Sequence, residues 1–383
     1  MAVAIRALDL KAEYAALRDE IGPAVRGVLE SGRYIGGPEV EGLEQEFAGL
    51  CGVPHAVAVG SGTDALRFAL LAAGIGPDHD VITTPFTFIG TTEAISQAGA
   101  RTVFIDIEKE GFALDPAGLE PAITPRTKMV LPVHVYGQTA DMAAIGAIAS
   151  RRGLLVLEDA CQAHGALLGG RPAGSLGLAG AFSFYPTKNL GGCGEGGMVT
   201  TSDAGLAARV RRLRDHGQKE KYLHVEEGWN GRLDALQAAI LRVKLRHLPE
   251  WNDRRRTLAA QYRDRLARLE VLGALRLPGE RPGGRHVYHQ FVVRIPSAGV
   301  GAPAEARRDR LREELLEDGI ETGVHYPIPL HRQPCYASMG LQEGSFPESE
   351  AAAREVLSLP LHPLLSPAEV QRVCQALTRR LGA

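Results

Sequence analysis

Short apolar runs recur along the first 215 residues and alternate with stretches whose apolar positions repeat at helical spacing. The runs are HAVAV (55–59), DVITT (80–84), TVFID (102–106), KMVLPVH (128–134), GLLVLED (153–159), AFSFY (181–185) and GMVTT (197–201). A strand that is apolar throughout must be covered on both faces. Helices predicted over 63–73, 86–98, 115–123 and 140–151 supply that cover. The pattern predicts an α/β fold with a mostly parallel sheet, which takes its ligands at the carboxyl ends of the strands.

Beyond residue 215 the pattern changes. Residues 232–248 predict a long amphipathic helix, interrupted at Pro249 and resuming through 250–268. A strand at 287–295, a helix at 304–318, an extended stretch at 320–326 and a helix at 366–381 follow. The 383 residues exceed one ordinary core. The expected organisation is a large domain over 1–248 and a smaller α+β domain over 249–383.

Composition narrows the class. Apolar residues make up 45%, charged residues 23%, and the net charge is -2, the balance of a soluble globular protein with no bias toward nucleic acid. The five cysteines are scattered without CxxC spacing, so reduced thiols in a cytoplasm are expected, with neither disulfides nor a metal site. The N-terminus MAVAIRALDLKAEYAAL is unlike a signal peptide, and no apolar run approaches membrane-spanning length. The cluster RVRRLR (209–214) reads as a solvated helix face. Of 43 basic residues only seven are lysine.

Three segments carry candidate chemistry. VAVGSGTDALRFALLAAG (57–74) reads as strand, glycine turn and helix. Unpaired amides at such a helix start form a phosphate site, or the turn is an ordinary one capped by Ser61 or Thr63. Asp64 in the first turn opposes an anion unless it points away. In LLVLEDACQAHGA (154–166) the apolar run ends at Asp159, whose carboxylate can bind a metal, cap a helix or hold a protonated ring nitrogen; Gln162 reaches the same place. In AFSFYPTKNLGGCGEGGMVTT (181–201) five of the seven residues from Gly191 to Gly197 are glycine, which implies a close approach to something. Lys188 precedes them, and in an arginine-rich chain a retained lysine points to an amine that must deprotonate and form a Schiff base. A phosphate cradle, a carboxylate and such a lysine are the parts pyridoxal phosphate requires.

The strings GSGTDAL, EDACQAHGA, SFYPTKNLGGCGEGG, WNGRLDALQAA and VHYPIPLH resemble the DegT/DnrJ/EryC1/StrS sugar aminotransferases, over essentially the whole chain from SGRYIGGPEVEGLEQEFA (31–48). The resemblance implies a fold-type I pyridoxal-phosphate (PLP) transferase, a homodimer with shared active sites. It implies that Lys188 holds the cofactor and that Asp159 pairs with its ring nitrogen. Gln162 lies near the ring 3-hydroxyl, Phe88 stacks on the ring, and Gly62, Thr63 and Ser183 contact the phosphate. Asn230 matches a phosphate contact from the partner subunit, and Arg214, His325 and Tyr326 match positions associated with the nucleotide-sugar. The lysine separates this chain from sugar-dehydrating relatives, which carry histidine there. Glu195 stands where many relatives have aspartate, and Asn230-Gly231 where they often have Asn-Ser. The implied reaction moves an amine, by family habit from glutamate, to carbon 3 of a dTDP- or UDP-linked keto-hexose. Other readings are the same machinery acting on a cyclitol or another non-nucleotide ketone, and a regulator that binds PLP or a nucleotide-sugar without turnover.

Overall fold

A computed structural model of the chain describes residues 4–297 and 304–382, so Met1–Val3 of the N-terminal stretch lie outside it. Ile5 is fully buried and bridges in parallel to Ile320, far along the chain. Asp9 caps α1 (Leu10–Ser31) by accepting the Ala12 amide at 2.9 Å, and Gly32 ends it at φ 66°, a left-handed conformation that favours glycine. Pro38 opens α2 (Pro38–Cys51), whose Leu43 and Phe47 are fully buried.

The sheet then builds through β1 (His55–Val59), α3 (Gly62–Ala72), β2 (Asp80–Thr83), α4 (Gly90–Gln97), β3 (Arg101–Phe104), β4 (Thr127–Val130), α5 (Met142–Arg152), β5 (Leu155–Asp159), β6 (Ala179–Ser183) and β7 (Gly197–Thr201). Spatially the order is β1-β7-β6-β5-β4-β2-β3. Every pairing is parallel except those of β7, which runs antiparallel to both β1 and β6. Helices cover both faces, as the continuous apolar runs require. Val57 and Val59 pack with Leu66 and Phe68 of α3 and with Val210 of α6 (Ala204–Leu213). Ala56 and Ala58, on the other face of the same strand, pack with Phe47 and Leu241.

Leu241 belongs to α7 (Ala235–Val271), one unbroken helix of 37 residues that contains Pro249. The predicted interruption there is absent. Proline removes one amide and clashes with the preceding turn, but packing on both sides outweighs this. Leu245 and Leu248 are buried in the sheet's core, and Leu258, Tyr262 and Leu266 in a second core. The position 248/249 therefore lies inside a helix. Near its start α7 also holds α1, through Ile240 and Val243 against Leu17 and Ile21.

The second core gathers β8 (Phe291–Arg294), α8 (Ala304–Glu317), β9 (Val356–Leu359) and α10 (Pro367–Leu381), while α9 (Pro347–Glu355), which leads into β9, packs its Ala352 and Ala353 with Phe86 and Val292. Strands β8 and β9 pair antiparallel, and Leu311, Leu315, Val373 and Leu377 pack with them around Ile5. None of the described helices is long and apolar enough to cross a membrane.

Candidate active site

Asp159 is the last residue of β5, at the carboxyl end of the parallel strands, and is 5% exposed. Its Oδ2 accepts a hydrogen bond from Thr91 Oγ1 at 2.7 Å, and Oδ1 accepts one from the Cys161 amide at 3.2 Å. Two donors fix the plane of the carboxylate. Three residues on, the Gln162 side chain is oriented by its own partners. The Tyr136 amide donates to Oε1 at 2.7 Å, so the other end is the amide nitrogen, which donates to Tyr326 Oη at 3.0 Å. Tyr136 Oη donates in turn to the His325 carbonyl. His325 faces Ser358 Oγ at 2.9 Å through Nδ1. The His325–Tyr326 segment is thereby held against the strand ends.

The turn after β1 supplies an anion cradle. Ser61 Oγ caps α3 by accepting the Asp64 amide at 3.0 Å, which leaves the first-turn amides of Gly62 and Thr63 without intrahelical acceptors. A Cβ on Gly62 would lie 2.7 Å from Ser183 Cβ and 3.1 Å from Cys161 Sγ, so only glycine lets the helix start sit against the end of β6. Asp64 turns away, to an ion pair with Arg67, whose guanidinium lies 4.8 Å from the Trp229 ring centre. The negative charge in the first turn thus leaves the cradle free. Gly90, at the start of α4, has room for no Cβ between Thr63 Oγ1 and the Phe88 ring. Phe88 accordingly stands beside the cradle, 56% exposed, with its ring centre 6.3 Å from that of Tyr326.

Lys188 follows β6, its amide donating to the Tyr185 carbonyl at 2.9 Å. Burial pushes its ammonium down from the usual value, against opposition from Cys161 and Asp159. The same space holds three imidazoles, His164 and His289 buried and His325 half-buried. Burial, reinforced by the Lys188 charge, lowers His164 to about 3 and His325 to about 4, and pushes His289 well down. The glycine string beyond Lys188 does approach something closely, but what it approaches is the chain itself. Cβ atoms on Gly192 and Gly194 would meet Gln237 of α7 at 2.9 and 3.0 Å, and one on Gly197 would lie 2.2 Å from the Ser61 carbonyl.

A cradle with room only for glycine, a doubly held carboxylate and a lysine with a lowered ammonium pKa converge at the strand ends, and this donor set fits pyridoxal phosphate. Two residues implied by the resemblance lie elsewhere. Arg214 Nη1 donates to Glu44 of α2 and to the Ala58 carbonyl of β1, which ties it into the framework. Asn230 is exposed and accepts from Arg232 at 2.6 Å, beside the Gly60 turn, where the Gly60 amide meets the Gly231 carbonyl. Sequence reading missed Thr91, in the first turn of α4, and Tyr136, in the turn after β4, which reach the site with no local motif to mark them. It also missed the buried support beneath Asp159. Glu158 accepts from the Gly174, Leu176 and Gly177 amides at 2.7–2.8 Å and from His134 Nε2 at 2.9 Å. The Ala140 amide donates to His134 Nδ1, so the imidazole proton sits on Nε2. Among the described residues no cluster of His, Cys, Asp and Glu is arranged to hold a metal.

A mostly parallel sheet that gathers a lysine, a carboxylate and a helix start at its strand ends has the architecture of an aminotransferase. The family model of the DegT/DnrJ/EryC1/StrS aminotransferase family matches residues 15–378, and the chain belongs to that family. It is 48% identical to a dTDP-3-amino-3,4,6-trideoxy-alpha-D-glucose transaminase of Streptomyces venezuelae, over 97% of this chain and 94% of that protein. It is 47% identical to a pleiotropic regulatory protein of Geobacillus stearothermophilus, over 97% and 96%. The crystal structure of S. venezuelae DesV in complex with a ketimine intermediate aligns at a TM-score of 0.94, with 47% identity and 99% of both chains covered.

Proposed function

We propose that this aminotransferase uses pyridoxal phosphate held by Lys188 to place an amine on carbon 3 of a nucleoside-diphosphate-linked keto-hexose, with glutamate as donor. The observation that carries the reading is the convergence of Lys188, Asp159 and the start of α3 on one space. The S. venezuelae relative, named for a 3-amino sugar, supports carbon 3. Bound there, the cofactor supplies an electron sink and a carbon that carries the amine.

The residues have separate tasks. Asp159, fixed by Thr91 and Cys161, takes the hydrogen bond of the ring nitrogen. With the cofactor bound, Gln162 would lie toward the ring 3-oxygen and Phe88 against one ring face, and Gly62, Thr63 and Ser183 would receive the phosphate, with Asn230 of the partner subunit completing the cradle. Lys188 Nζ would hold the cofactor and, as a free amine, would move the proton at the substrate carbon. Burial favours its neutral form, the one able to accept that proton. His325 and Tyr326 border the sugar entrance. Arg214, tied to Glu44, is assigned to the framework rather than to the nucleotide. The protein acts as a homodimer in a cytoplasm, where its five free thiols stay reduced. Residues 1–248 form the cofactor domain and 249–383 the smaller one, continuous through α7.

The test is the visible spectrum of purified protein and of Lys188→Ala, before and after glutamate. The wild type should be yellow and bleach with glutamate, and the variant should lack the lysine-dependent band. Incubation of a nucleotide-linked 3-amino-hexose with 2-oxoglutarate should then release glutamate. A wild type that stays colourless with added PLP overturns the reading. One that holds the cofactor but turns over no donor favours a regulator, the role in the name of the Geobacillus relative.

A further inference from the structure

The residues after Lys188 have few side chains with which to fix their course, because five of the seven from Gly191 to Gly197 are glycine. Besides the bonds from Asn189 Nδ2 to the Val287 carbonyl at 3.1 Å and from the Gly192 amide to the Phe184 carbonyl at 2.8 Å, three anchors come from α7. Asn252, 5% exposed, accepts from Asn189 Nδ2 at 2.9 Å through its side-chain oxygen, and its Nδ2 donates to the His164 carbonyl at 2.8 Å. Lys244, 4% exposed, donates from Nζ to the Gly191 carbonyl at 2.7 Å. Gln237 Oε1 accepts the Cys193 amide at 2.8 Å. Residues 237, 244 and 252 are seven and eight apart, about two helical turns each, and so share one face of α7. They meet residues 193, 191 and 189 in reverse order, every second position of the loop, starting one residue after Lys188.

We propose that Gln237, Lys244 and Asn252 form a polar ladder whose function is to position Lys188. The inference rests on the reading of Lys188 as the cofactor lysine. Packing alone would be served by apolar residues on this face, and a buried ammonium is a costly way to hold two segments together. Lys244 pairs with Glu13 of α1, whose Oε1 lies 2.6 Å from Nζ, and spends another donor on a loop carbonyl. It is also one of only seven lysines in an arginine-rich chain. A compact ammonium meets one carboxylate and one carbonyl with fewer donors left to satisfy in a buried place than a planar fork of five. The glycines complete the device. A Cβ on Gly192 or Gly194 would push on the Gln237 amide at 2.9 and 3.0 Å, so the glycines let that side chain lie directly against the loop backbone.

The experiment uses the PLP-loaded full chain with two variants. Gln237→Leu removes the acceptor for the Cys193 amide, and Glu13→Gln with Lys244→Met removes the ladder's charge without leaving a lone buried carboxylate. The readouts are the pH titration of the lysine-dependent visible band, the rate of the single-turnover reaction with glutamate, and its KM. Each variant should shift the midpoint of the band's titration by at least half a pH unit. Each should slow the single turnover about tenfold and leave KM within twofold. Variants that keep the wild-type midpoint and rate overturn the proposal, even if they melt at lower temperature, because a merely structural contact would lower only the melting temperature. If the double variant does not fold, Gln237→Leu alone decides. A wild type without the band refutes the reading of Lys188 instead, before any variant is compared.

Discussion

Gly62→Ala tests the anion cradle directly. The added Cβ would lie 2.7 Å from Ser183 Cβ, 3.1 Å from Cys161 Sγ and 3.2 Å from Ser183 Cα. None of these belongs to the far end of a flexible side chain, and Ser183 ends a strand paired on both sides. The helix start is no freer, since Leu66, Phe68 and Leu70 of α3 are at most 2% exposed. Overpacking of this kind costs about 1–3 kcal/mol. If α3 gives way, that strain falls on the amides that receive the phosphate and weakens PLP binding by roughly 5- to 150-fold, at about 1.4 kcal/mol per decade. If α3 holds, the strain appears as a lower melting temperature of the cofactor-free protein. PLP titration and thermal melts of both forms separate the two routes. Gly146→Ala is the control. That glycine lies inside α5 with nothing within 4 Å of its would-be Cβ. The change should stabilise by about 0.5–1 kcal/mol without altering PLP affinity. A Gly62→Ala protein with wild-type affinity and wild-type melting would refute the cradle.

Two further outcomes follow from buried charge. Arg214→Ala leaves Glu44 without its shorter-range partner and the Ala58 carbonyl without its donor. Its side chain is 17% exposed, so a loss on the order of 2–4 kcal/mol is expected. The KM for nucleotide-sugar should change less than twofold, and a tenfold rise with unchanged melting would return Arg214 to the substrate. His164 is fully buried among Phe47, Phe182 and Phe184, with neither ring nitrogen hydrogen-bonded, and its pKa falls to about 3. The unfolded chain takes up its proton near pH 6.5, so between about 6.5 and 3 the unfolded state binds more protons than the folded one. Stability is therefore full above that window and drains away as pH falls through it, by several kcal/mol at the acid end (about 1.4 per unit). Denaturant melts at pH 7, 5.5 and 4.5 should show a shallower acid loss in His164→Phe, and equal slopes would refute the assignment.

The strands were legible because a parallel sheet covered on both faces writes itself as unbroken apolar runs, and each of the seven predicted runs overlaps a strand. The run at 128–134 is longer than β4 because Leu131 and Val133 stay buried after regular pairing ends, with Val133 bridging to Asp159. The antiparallel direction of β7 is not written locally. It depends on the glycine loop turning back along β6. Helix α1 escaped notice because it buries only Leu17, Ile21 and Val28, too sparse a stripe to stand out. The RVRRLR cluster does lie on a helix end, but its charges are paired rather than merely solvated. Arg209 and Arg212 meet Glu226, while Arg211 and Arg214 meet Glu44. Asp159 and Lys188 could be read from the segments that present them. Thr91 and Tyr136 could not, because what makes them neighbours is the sheet order rather than any spacing along the chain.

The bridge between Ile5 and Ile320 has a consequence for how the protein is made. Ile5 leaves the ribosome about 315 residues ahead of its partner. At about 5–20 residues per second that is a wait of roughly 16–63 s. In that time all seven strands of the large sheet are synthesised, so it can assemble around a leader whose apolar anchor still faces water. Helices α8 and α10, translated after those strands, then close the second core over Ile5, so a segment made before the sheet finds its place after it.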